Sequence, residues 1–137
     1  KAAAELESVR RLSGTFLHHA VLADCYRAMR RYSAVEELWR ELREASPDPT
    51  LMAEGRIVAA GARRDMGQLD AAIATLECKE LNSKSTDPWS ARIRYAYAEM
   101  LLAAGRKDEA RDWFVKAALV DAEELTDAAE RAVHITG

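Results

Sequence analysis

Apolar residues recur along this chain in steps of three and four, the interval that lines one face of an α-helix. Ala2, Leu6 and Val9 open the series, and Phe16, Leu22, Ala23, Tyr26 and Met29 continue it. Val35, Leu38, Trp39 and Leu42 make a further stripe, as do Leu69, Ala72, Ile73 and Leu76. A longer one, Ile93, Ala96, Tyr97, Met100, Leu101 and Ala104, precedes Ala110, Phe114, Ala117 and Ala118. Leu125, Ala128, Ala132 and Val133 give a last, weaker face.

The residues between the stripes mark where helices start and stop. Ser13-Gly14 closes the first segment, and Arg30-Arg31-Tyr32 is the turn after a helix from about Thr15 to Arg30. Ser33 with Glu36, and Asp127 with Glu130, have the capping-box spacing, in which hydroxyl or carboxylate oxygens take up free amides at a helix start. Ser46-Pro47-Asp48-Pro49 ends one helix, because proline cannot continue the ladder, and starts the next, with Asp48 as cap and Pro49 at the first position. Asp87-Pro88 repeats that signal. Gly67 and Gly105 suit left-handed caps. Gly55 and Gly61 lie inside a predicted helix ending near Met66 and each costs roughly 1 kcal/mol relative to Ala, which points to a close helix approach. Asn82 to Thr86 is the most loop-like stretch.

These segments repeat. Ala98, Gly105, Ala110, Phe114 and Ala117 are separated by steps of 7, 5, 4 and 3 residues. The same steps join Ala60, Gly67, Ala72, Leu76 and Lys79, and join Ala23, Arg30, Val35, Trp39 and Leu42, at offsets of 38 and then 37 residues. Repeated helical hairpins stack into a solenoid. On these residues, with Tyr26, Tyr32 and Pro47 in the first unit, the chain resembles the tetratricopeptide repeat family, whose unit is a helix-turn-helix of about 34 residues. The resemblance implies an all-α fold, a right-handed superhelix of hairpins at 15–47, 48–81 and 87–121. Half a hairpin at 1–12 precedes them and a capping helix at 124–136 follows. The units depart from the family: the spacing is longer, Arg30 stands where glycine is common, Val35 where alanine is, and Lys79 where a small residue would pack.

Composition narrows the class of function. A net charge of −3 lacks the basic excess of a phosphate-backbone binder, so nucleic acid is disfavoured. No apolar run approaches the roughly 18 residues of a membrane span. Cys25 and Cys78 have no paired spacing and read as small buried residues of a reducing compartment, which points to the cytoplasm. The chain begins at Lys1 without an initiator Met and reads as a piece of something longer. Trp39, Trp89, Trp113 and Phe114 are expected in the core, His134 in solvent.

In such an array the first helices line the concave face, and counting from Ala23, Ala60 and Ala98 gives three rows. They are Leu17, Ala20, Asp24 and Arg27; then Glu54, Ile57, Gly61 and Arg64; then Arg92, Tyr95, Glu99 and Leu102. Arg27, Arg64, Arg92 and Tyr95 among apolar patches suit a peptide of acidic character. The alternative is a solvated charge lattice in which Asp24, Glu54 and Glu99 pair with those arginines across neighbouring helices. Some family members clamp a partner's terminal carboxylate here with lysine and asparagine; Ala20 and Asp24 occupy comparable places, and an aspartate would repel it. His18 and His19 point about 100° apart on a helix and cannot chelate one metal together. No nucleophile, base and orienting group are legible together, no phosphate loop, and no cofactor motif. By resemblance the expectation is a non-catalytic scaffold for a protein or peptide partner; the alternative is a spacer or self-association module whose array ends stack on a second copy.

Overall fold

The computed structural model describes residues 19–45 and 48–135, with side chains from Val21 onward. The half hairpin expected at 1–12, together with Leu17, His18 and the Ser46-Pro47 break, lies outside the described residues, as do the side chains of His19 and Ala20. Among the described residues the secondary structure is all helical: α1 (His19–Ala28), α2 (Tyr32–Ala45), α3 (Pro49–Asp65), α4 (Leu69–Leu76), a 3-10 turn (Lys79–Asn82), α5 (Pro88–Ala103), α6 (Lys107–Val120) and α7 (Ala128–His134). None of these helices is long and apolar enough to cross a membrane.

Three of the turns are built alike. After α1, α3 and α5 the chain passes through the left-handed region at Arg30 (φ 60°), Gly67 (φ 76°) and Gly105 (φ 80°). At each, the following amide donates back across the last turn: Arg31 to Tyr26 at 2.8 Å, Gln68 to Arg63 at 2.9 Å and Arg106 to Leu101 at 2.9 Å. Arg30, Gly67 and Gly105 themselves donate to Arg27, Arg64 and Leu102, which completes a Schellman cap each time. Glycine adopts this backbone freely, whereas an L-side chain at Arg30 carries a cost of about 1 kcal/mol or more.

The hairpins pack in order. α1 lies against α2 and α3, α3 against α4 and α5, and α5 against α6, on which α7 also packs. The small residues of the repeat stand at these crossings: Ala60, Ala72, Ala98, Ala110 and Ala117 are all inaccessible to solvent. Large partners fill between them, with Val35, Leu42, Leu76 and Phe114 buried and Trp89 close to it. At Gly55 an added Cβ would overlap the Leu42 side chain and sit 3.2 Å from Trp39 Cε3, so its missing side chain is what lets α3 approach α2.

Several expectations are corrected. The second helix of the middle hairpin stops at Leu76, and Lys79 is exposed in the 3-10 turn. A continued helix would direct the Lys79 ammonium inward, and burying an unpaired charge is expensive; instead the chain leaves the helix and Leu81 fills the core. Arg56 donates to the Thr75 carbonyl at 2.9 Å, occupying a helix-end acceptor. α2 opens at Tyr32, ahead of Ser33, and Glu36 pairs with Arg63 at 3.0 Å. Asp127 makes no side-chain cap for α7; its carboxylate accepts instead from the Tyr95 hydroxyl. Asp48 does cap α3, accepting from the Leu51 amide at 3.0 Å, but Asp87 makes no such bond to α5. Met29, Ala104, Leu125 and Val133, assigned to apolar faces, are exposed, and Trp113 is half-buried, its ring 5.0 Å from that of Tyr97. Cys25 and Cys78 are free, half-buried thiols.

Candidate functional site

Spacings of three and four put Asp24 and Arg27 on one side of α1, Glu54, Ile57 and Arg64 on α3, and Arg92, Tyr95 and Glu99 on α5. The structure ties these helices together through them. Arg27 donates through Nε to Asp65 at 2.7 Å and through Nη2 at 3.2 Å, with Asp24 3.9 Å away. Its guanidinium lies against Gly61, where a Cβ would stand 2.6 Å from Cζ. Glu54 receives two bonds from Arg92, the Nη2 one at 2.7 Å. Bonds to Asp65 and to Glu54 raise the pKa of Arg27 and Arg92, so both stay charged.

Further along, Glu99 lies 3.6 Å from Arg131 of α7. Arg131 donates at 2.9 Å to the Tyr95 hydroxyl, which itself donates to Asp127. Burial, and then the bond to Asp127, push the Tyr95 phenol up to about 12. The Arg131 guanidinium also lies 4.8 Å from the Phe114 ring centre, and Tyr95 meets Phe114 edge-on at 5.3 Å. Arg27 and Arg92 therefore already hold carboxylates, while Arg64 is exposed and makes no ion pair among the described residues.

The structure brings four of the sequence-selected residues into one groove. Ile57, Arg92, Tyr95 and Glu99 line a cleft of about 410 Å³ with Ala96, Leu125, Thr126 and Asp127. Asp24, Arg27 and Arg64 lie away from it, and Glu54 reaches it through Arg92. The far wall is the α6–α7 loop, shaped by Asp121. Asp121 accepts from the Leu125 amide at 2.9 Å, the Thr126 amide at 2.8 Å and the Thr126 hydroxyl at 2.6 Å. Burial alone would push its carboxyl up, but the bonds from Thr126 and Leu125 outweigh that and hold it below the usual aspartate range. This fastening presents Leu125 to solvent with 58% of its surface accessible.

Another depression, about 560 Å³, is bounded by α2, α3 and α4; its lining is mostly polar and charged, with Arg40 paired to Glu37 within α2 and Arg63 of α3 paired to Glu36 of α2. The groove at Leu125 combines an exposed aliphatic side chain with a part-buried apolar floor. Among the described residues no three His, Cys, Asp or Glu side chains are grouped to hold a metal ion.

Sequence reasoning did not single out Asp65, Leu125, Thr126, Asp127 as wall or Arg131. A signal existed for one of them: Glu54 and Arg92 are 38 residues apart, the offset of their units, and Asp65 lies one residue beyond Arg64, which is the position one 37-residue offset on from Arg27. Set against known proteins, the chain matches no family model, and no curated protein sequence or solved structure matches it either.

Proposed function

We propose that this chain is a non-catalytic protein-interaction scaffold, a solenoid of helical hairpins similar to tetratricopeptide arrays, that holds a peptide or protein partner between α3, α5 and the α6–α7 loop. Three identical caps at offsets of 37 and 38 residues, with each hairpin packed on the next, support the solenoid. The single observation that carries the binding role is the groove itself, open, part apolar and walled by a loop that keeps Leu125 in solvent. Burying such an aliphatic side chain contributes about 1.5–3 kcal/mol to association.

The test compares capture of partners by the intact chain with capture by Leu125→Asp and by Arg64→Glu. Both side chains are exposed, so helicity is retained. Loss of a partner with Leu125→Asp alone supports the groove; capture indifferent to it sinks this reading.

A second reading, a spacer or self-association module, has its own observation: Leu119 and Val133, on the last two helices, are each 78% exposed. Sedimentation distinguishes it, because self-stacking predicts an apparent mass that rises with concentration and falls with Leu119→Ser/Val133→Ser. A monomer at all concentrations rules out the self-association version.

A further inference from the structure

Taking the groove as a docking surface, as proposed above, we infer that its occupant is a partner segment carrying an aliphatic side chain beside a lysine or arginine. Two depressions share the Thr126–Asp127 rim. One is the groove with Ile57 and Ala96 in its lining and Leu125 at its edge; the other, about 340 Å³, is lined by Asp121, Glu124, Asp127 and Glu130 and by no basic side chain. From Asp121 to Glu130 the chain has five acids and no base.

The balance inside the groove has the same sign. Of the lining side chains Glu99 and Asp127 stand against Arg92, with Glu54 and Arg131 paired to Arg92 and Glu99, and both guanidiniums are engaged: Arg92 by Glu54, and Arg131 by Glu99, the Tyr95 hydroxyl and the Phe114 face. An acidic peptide meets no uncommitted cation here and a negative rim beyond it. A basic residue next to an apolar anchor fits both halves, because its methylene stem lies along Leu125 while its charged head crosses the rim to the carboxylates. The preference is opposite to the one expected from the arginines of the sequence rows.

The test is selection of a random linear-peptide library on the immobilised chain, followed by fluorescence anisotropy on an enriched peptide. The expected result is enrichment of peptides with Leu, Ile or Val next to, or one residue removed from, Lys or Arg. Such a peptide should bind Glu124→Gln/Glu130→Gln about three- to tenfold more weakly, since two exposed charge pairs are lost, and bind Leu125→Ser more weakly still. All of these side chains are exposed, and an unchanged melting curve for each variant confirms that the fold is intact. Enriched peptides rich in Asp and Glu, or affinity indifferent to the charge variant, overturn the basic occupant and leave the docking role standing. No enrichment over a blank support overturns both.

Discussion

Arg27 with Asp65 and Glu54 with Arg92 join successive first helices, and a depression lies beside each pair: the one at Arg27–Asp65, about 580 Å³, is lined by Ala28, Arg30 and Tyr32, whereas the one beside Arg92 has Ile57, Ala96 and the exposed Leu125 in its walls. At the α1–α3 junction Gly61 has no side chain, so the Arg27 guanidinium lies against α3 and, with Asp65, walls its depression with charge. One repeat on, Glu99 stands in the place of Gly61 and turns to Arg131 of α7. Ile57, Ala96 and the Asp121-fastened loop then surround a cleft that the Arg92–Glu54 pair does not fill. On the proposed reading, what offers a partner a surface is the apolar lining next to the ion pair, not the arginine in it. Exposed pairs of this kind contribute about 0–1 kcal/mol each to stability and act mainly as spacers between helices.

The largest expected effect lies in the α2–α3 packing, away from both depressions. Trp39 is buried between Gly55 and the guanidiniums of Arg43 and Arg56, which lie 5.7 and 5.0 Å from its ring. Trp39→Ala should cost about 3–5 kcal/mol, seen as a lower urea midpoint, whereas Leu125→Ser at the groove should change stability by less than about 0.5 kcal/mol. Gly55→Ala comes next. Its new methyl overlaps Leu42, and overpacking of this kind costs about 1–3 kcal/mol even though alanine favours the helix. A midpoint equal to or above that of the parent would contradict the close α2–α3 approach.

The Arg27–Asp65 junction also has the one strained cap of the three, Arg30, in the wall of its depression. Arg30→Gly should raise stability by about 1 kcal/mol, while Gly67→Ala or Gly105→Ala should lower it, although neither would meet a neighbour within 4 Å. If Arg30→Gly lowers the melting temperature, the three turns are not equivalent. The smallest effect is on pH. Because the folded Asp121 carboxyl lies below its ordinary value near 3.9, its contribution is present above about pH 4 and is lost as the pH falls through the folded value. The melting-temperature gap between the parent and Asp121→Asn should therefore narrow below about pH 4. A gap independent of pH would show that the loop is held otherwise.

Much of this architecture is legible in spacing. The intervals ending at Ala72, Ala110 and Ala117 mark buried crossings because only small residues let helices approach, and Gly67 and Gly105 mark caps because glycine alone takes positive φ without strain. Arg30 could be placed at the same turn only by its register in the repeat, since nothing about arginine suits that backbone. Lys79 kept its register in the sequence and lost it in the fold, because a charge cannot take a core position. The capping box at Asp127 failed for a related reason: the Tyr95 hydroxyl, distant in sequence, offers the carboxylate a partner that local spacing does not reveal. The groove was half legible. Ile57, Arg92, Tyr95 and Glu99 follow from helix periodicity, whereas Leu125 faces solvent on account of three bonds to Asp121 that close a loop without a periodic pattern.

Photo-crosslinking from Leu125 tests the central claim most directly, with Leu119 as comparator, since both are exposed leucines, 58% and 78%, in different places. With p-benzoylphenylalanine at either position in separate chains, irradiation in a cell lysate should give a discrete adduct from position 125 and none from position 119. An adduct from position 119 alone, or equal labelling at both, would contradict a partner seated in the groove and shift the working surface to the end of the array.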